Sequence, residues 1–115
     1  MSSTPSFSSL KRVFLNSGYE VRNFTRNRLE ELALDAPTEV KRHQDSNIMG
    51  LILPDEMIIG IARDLTDEEK AVTLLHELLH LWDPELDEES VEELTIELEQ
   101  QLSPGQFGFL QFLAS

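Results

Sequence analysis

From Phe24 onward the spacing of apolar and polar positions changes texture four times, and each texture predicts an element. Between Phe24 and Ala36, Leu29, Leu32 and Leu34 sit among Arg and Glu residues until Pro37 intervenes, the pattern of a short amphipathic helix. The runs IMGLIL and MIIGIA follow, joined by Pro54-Asp55-Glu56; two β-prone segments linked by turn formers predict an antiparallel hairpin. At Asp64 the texture becomes helical. Thr66 followed by Glu69 has the capping-box pattern, in which each side chain satisfies an orphan backbone N–H of the first turn, so a helix is expected to begin at Thr66. Ala71, Leu74, Leu75, Leu78 and Trp82 fall at i, i+3, i+4, i+7 and i+11, an apolar stripe that ends at Pro84. A second helix is expected after Asp87 and up to Leu102, with Val91, Leu94, Leu98 and Leu102 as its stripe and Ser103-Pro104-Gly105 as its stop. The tail QFGFLQFLAS is too apolar to be left in water and must pack on the domain, as part of its core or as a cover over a cleft.

Residues 1–23 read as a polar lead-in, partly ordered, and 24–115 as a single α+β domain, since 115 residues enclose one core. Hydrophobic residues make up 40% of the chain, as in an ordinary soluble protein, and no apolar run approaches the roughly 20 residues of a membrane span. The first residues lack the apolar stretch of a secretory signal, and there is no cysteine. The expectation is a cytoplasmic protein without disulfides, in which any metal is held by His, Asp or Glu. Charge is uneven. Residues 1–60 carry 7 basic and 8 acidic side chains, net −1, whereas residues 61–115 carry 2 and 14, net −12. So acidic a half repels a phosphate backbone, which excludes nucleic-acid binding as the main activity; most of these carboxylates read as a solvated surface.

The sharpest chemical signal is His76-Glu77-Leu78-Leu79-His80. Two imidazoles four residues apart stand one turn apart on one helix face and can share a metal ion, with Glu77 beside them. Zinc held by three protein ligands keeps a position for water and lowers its pKa from 15.7 to about 7. A neighbouring carboxylate then takes the proton as the water attacks a peptide carbonyl. The stripe of Leu74, Leu75 and Leu78 is expected to anchor the helix on one side, while His76, Glu77 and His80 project toward a cleft.

A third ligand is needed, and the candidates are carboxylates at the start of the second helix or His43. Glu88 lies three residues before Val91 and ten before Leu98, on the edge of the apolar stripe, so it should face inward. Glu92 flanks the same stripe. Glu89 is a further alternative, although it and Glu93 should look more outward. Each of these would also be at home as a solvated carboxylate favoured by the helix dipole. His43, Tyr19 and Arg63 could stabilise a developing oxyanion, against the plainer reading of surface residues. Asp83 could orient a ligand imidazole, or merely be a solvated residue before a proline. Trp82 reads as core.

The stretch from LTDEEKAVTLLHELLH through LDEESVEELTIEL resembles the short zincins whose third ligand is a Glu: the minigluzincins and the small ImmA/IrrE-type or SprT-like peptidase domains. The resemblance covers about 40 residues; MGLIL and MIIGIA are more loosely similar to that group's strands. It implies a small zincin-like domain, a short antiparallel or mixed sheet packed on the HExxH helix, with its edge strand bordering the cleft, and a second, ligand-bearing helix. It implies His76 and His80 as zinc ligands, Glu77 as general base and Glu88 as third ligand. The seven residues between His80 and Glu88 make a tight turn, and the Glu-Ala pair common on the ligand helix of ImmA/IrrE-type domains is absent. The function expected is a zinc metalloendopeptidase with one Zn2+ per chain, active or latent, acting on a peptide or protein substrate. The alternative is a non-catalytic zinc-binding module that uses such a scaffold for protein interaction.

Overall fold

A computed structural model describes residues 4–34 and 49–115 of the chain. Among them five helices and three strands follow in the order α1 (Phe7–Ser17), β1 (Glu20–Phe24), α2 (Arg26–Leu34), β2 (Gly50–Leu53), β3 (Ile58–Ala62), α3 (Asp67–Trp82), α4 (Glu88–Gln101) and α5 (Pro104–Ala114). His43 lies outside the described residues, as does the end of the helix expected to reach Ala36.

The polar lead-in contains an element of the core. Ser6 caps α1 by accepting the N–H of Ser9, and Gly18 closes it with φ 80°, a left-handed conformation that costs a residue without Cβ little. Leu10 and Phe14, one turn apart on α1, are buried. The signal lay in the spacing of Phe7, Leu10 and Phe14 between a serine cap and a glycine stop, within a stretch whose many serines gave it a loop-like composition.

The sheet has the order β1-β3-β2. β2 and β3 form the expected antiparallel hairpin, with Gly50 opposite Ile61 and Leu53 opposite Ile58. β1 joins parallel to β3, with Glu20 opposite Ile58, so the sheet is mixed. Its two faces are covered by different helices. A side chain on Gly60 would meet Phe24 and Leu29, whereas one on Gly50 would meet Thr73, which puts α2 on one face and α3 on the other. Burial on both faces explains why β2 and β3 read as nearly continuous apolar runs and do not alternate.

α3 is the central helix, packed against α1, α4, α5, β2 and β3. Its start is the expected capping box: Glu69 N–H donates to the Thr66 hydroxyl (3.1 Å) and Thr66 N–H to the Glu69 carboxylate (2.9 Å). Ala71, Leu74, Leu75 and Leu78 are buried as the stripe requires, with Trp82 partly so. The opposite side is not the open cleft that the stripe alone suggests. Leu79, Glu77 and His80 are buried too, because the sheet and α4 enclose what a two-helix contact would have left exposed.

The tail forms α5, capped by Ser103 and Gln106 with Pro104 in the first turn. Leu110 and Ala114 are buried, and the Asn23 side-chain amide donates to the Ala114 carbonyl at 2.9 Å, fastening the end of α5 to β1.

Candidate metal centre

The geometry at HELLH follows from how α3 ends. The Asp83 N–H still donates to the Leu79 carbonyl, and the Asp83 carboxylate accepts the Glu85 N–H (3.1 Å), while its carbonyl accepts the Leu86 N–H (3.2 Å). Asp83 therefore shapes the turn. Asp87 then caps α4 by accepting the Ser90 N–H at 2.7 Å. A turn this short folds the first residue of α4 back beside the last two turns of α3. Val91, Thr95 and Leu98 seat α4 on the core, and Glu88, one turn before Val91, faces α3.

Three residues with ligand-type atoms converge there. His80 Nε2 lies 3.3 Å from His76 Nε2 and 3.2 Å from a Glu88 carboxylate oxygen; the other Glu88 oxygen is 2.5 Å from His76 Nε2. A tetrahedral ion bonded at about 2.0 to 2.1 Å needs ligand atoms roughly 3.3 Å apart. The two imidazole nitrogens already have that spacing, and so do His80 Nε2 and the Glu88 oxygen nearest it, while the short charge-assisted contact of His76 with the other Glu88 oxygen would have to open by under about 1 Å. The residues fit a metal ion such as zinc. Among the described residues no fourth His, Asp or Glu joins the group.

The electrostatics are those of an ion pair. Burial works to lower the His76 pKa, but the hydrogen bond that His76 donates to Glu88 and the negative charges of Glu77, Glu88 and Glu92 outweigh it and hold His76 above its ordinary value. Burial works to raise Glu88, and the hydrogen bonds and charges of His76 and His80 overcome it, keeping the carboxyl far below the usual carboxylate range. Glu88 is thus ionised and ready to ligate; an ion would take the place of the imidazolium proton.

Access is one-sided. The His80 side chain is 3% exposed, His76 15% and Glu88 24%, so solvent reaches the group past His76 and Glu88. Glu77 is 1% exposed. It lies one turn beyond Thr73 on the face of α3 that meets β2. An ideal Cβ built on Gly50 would come 2.7 Å from Thr73 Cγ2, 3.1 Å from the Gly60 carbonyl oxygen and 3.4 Å from a Glu77 carboxylate oxygen. Gly50 is not among the residues that the sequence singles out, although a glycine inside an apolar β-run is the mark of a close backbone approach.

The other candidates fall elsewhere. Glu89 and Glu92 are exposed on α4 and outside the converging group, with Glu92 acting on His76 through its charge. Tyr19 packs at the margin of the core, and Arg63 is exposed, donating its backbone N–H to the Phe24 carbonyl. Comparison with protein-family models, curated proteins and solved structures finds no match to the chain.

Proposed function

We propose that the chain is a zinc metallopeptidase. The observation that carries this reading is the convergence of His76, His80 and Glu88 on one point, with Glu77 in the helical turn between the two imidazoles. A zinc ion bound there would supply a water of lowered pKa and polarise a peptide carbonyl. His76 and His80 offer Nε2, and Glu88 its anionic oxygens, so the three would hold the ion with one negative charge between them. Glu77 accepts a proton from the attacking water and returns it to the departing amine. Its burial removes competing solvent from the carboxylate. The substrate is a peptide segment that approaches past His76 and Glu88, the side open to water. The resemblance of this stretch to Glu-ligand zincins points the same way. A cytoplasmic location belongs to the same proposal, since a chain without cysteine suits a reducing compartment.

A second reading has an observation of its own. Glu77 and His80 are almost wholly enclosed and all four residues of β2 are buried, which suits a latent enzyme or a zinc-binding interaction module. No helix among the described residues is long and apolar enough to cross a membrane.

Glu77→Gln separates the two. With a fluorogenic peptide library and zinc-loaded protein, the wild type should hydrolyse peptides, and the variant should keep its zinc and lose about 10²- to 10⁴-fold in rate. Wild-type rates in the variant would remove Glu77 as base. Zinc bound by a wild type that cleaves nothing would leave the binding module as the function.

A further inference from the structure

We infer that Gly50 is a positioning residue for Glu77, an assignment that rests on the metallopeptidase reading of this site. β2 crosses α3 with Gly50 directly over the Thr73–Glu77 step, and no side chain fits there. The 2.7 Å approach to Thr73 Cγ2 is closer than Cβ atoms come to carbon, so a methyl group at residue 50 forces something to move. Thr73 is poorly able to do so: it is 8% exposed and β-branched, and its rotamer in a helix is restricted. The Gly60 carbonyl at 3.1 Å is held in the ladder, since Leu51 stands opposite Gly60 on β3. The remaining response is for β2 to stand off from α3. That would open the wall against which the Glu77 carboxylate rests.

Glu77 is the residue most sensitive to this change. Its backbone is fixed in α3, but its carboxylate is carried on three rotatable bonds and keeps its place only through what surrounds it. The bare backbone of Gly50 supplies one wall of that slot, 3.4 Å from the carboxylate measured at the Cβ position. The metal triad is held separately, by the turn that docks α4 on α3. Moving β2 should therefore disturb the base and leave the ligands in place. A shift of about 1 Å in a catalytic group can cost about 100-fold in rate.

Gly50→Ala is the direct test. Gly18→Ala serves as a control for lost stability, because Gly18 has φ 80° and lies against Met57, on the loop between α1 and β1. Gly50→Ala should bind one zinc per chain with near wild-type affinity, and lower kcat about 10- to 100-fold with KM little changed. Adding Thr73→Ser removes the Cγ2 methyl that the new side chain would strike and should recover much of that loss. Gly18→Ala should lower the melting temperature and keep kcat. The crystal structure of metal-free Gly50→Ala provides a readout independent of activity: the Glu77 carboxylate should be displaced, with His76, His80 and Glu88 unmoved. Glu77 in its original position, or a wild-type kcat in Gly50→Ala, would overturn the assignment. An equal fall of kcat in Gly18→Ala would do the same. If the wild type hydrolyses no peptide, the peptidase reading fails by itself, and the position of Glu77 in the variant still decides whether Gly50 places it.

Discussion

His76, Glu77 and His80 were legible from the sequence because a helix brings residues four apart onto one face whatever surrounds it. Glu88 required one more inference, that a carboxylate one turn before a buried Val91 faces inward, and the structure brings it to both imidazoles. Gly50 was not legible, since its meaning depends on α3, a helix that enters the chain only after β3. The His76–Glu88 pair also sets how the metal-free protein responds to pH. His76 is raised above 6.5 in the folded state, so its contribution to stability is complete below 6.5 and is lost as pH rises through the folded value. Glu88 is depressed below 4.5, so its contribution is present above 4.5 and is lost as pH falls through the folded value. Both contribute together between 4.5 and 6.5. Urea midpoints of the chelator-treated protein should show this support, and Glu88→Gln should lose it within that window. The same pH profile in variant and wild type would mean that the pair does not form in solution.

At the scale of elements, patterning was most reliable where local chemistry and packing agree. The capping box at Thr66 and the stripe from Ala71 to Leu78 placed α3 to within a residue. α1 and β1 were missed. The many serines before Phe14 masked two core positions one turn apart, and Glu20–Phe24 acquires its strand identity only by pairing in parallel with β3, a contact remote in sequence. α5 shows the converse: its apolar content required that it pack, and Leu110 and Ala114 do. Both belong to the core, which favours the tail as core over the tail as a plug on the cleft. Truncation after Gly105 removes Leu110 and the partly buried Phe107 and Leu113, each worth about 1.5 to 3 kcal/mol when fully buried. Domains are usually stable by only about 5 to 15 kcal/mol, so the truncated chain should melt far lower or fail to fold, and should show no gain in peptide hydrolysis. An unchanged melting temperature with faster cleavage would restore the plug.

For the molecule as a whole, composition and patterning foresaw a single α+β domain, and the structure has that class, with helices on both faces of a small mixed sheet. What they did not convey was the enclosure of α3. An apolar stripe tells which side of a helix must be buried, but not whether neighbours also cover the other side. Here β2 and α4 do so, and the result is a general-base candidate sealed from solvent beside candidate ligands of which His76 and Glu88 are partly open to it. The proposed function requires that His76, His80 and Glu88 hold a metal. Zinc content and affinity should be measured by elemental analysis and chelator competition for the wild type, the His76→Ala/His80→Ala double variant, and Glu88→Ala, Glu89→Ala and Glu92→Ala. One zinc per chain in the wild type, none in the double His variant, and a loss of affinity in Glu88→Ala well beyond that in Glu89→Ala or Glu92→Ala is the predicted result; full occupancy without the two histidines, or equal affinities across the three Glu variants, would contradict it.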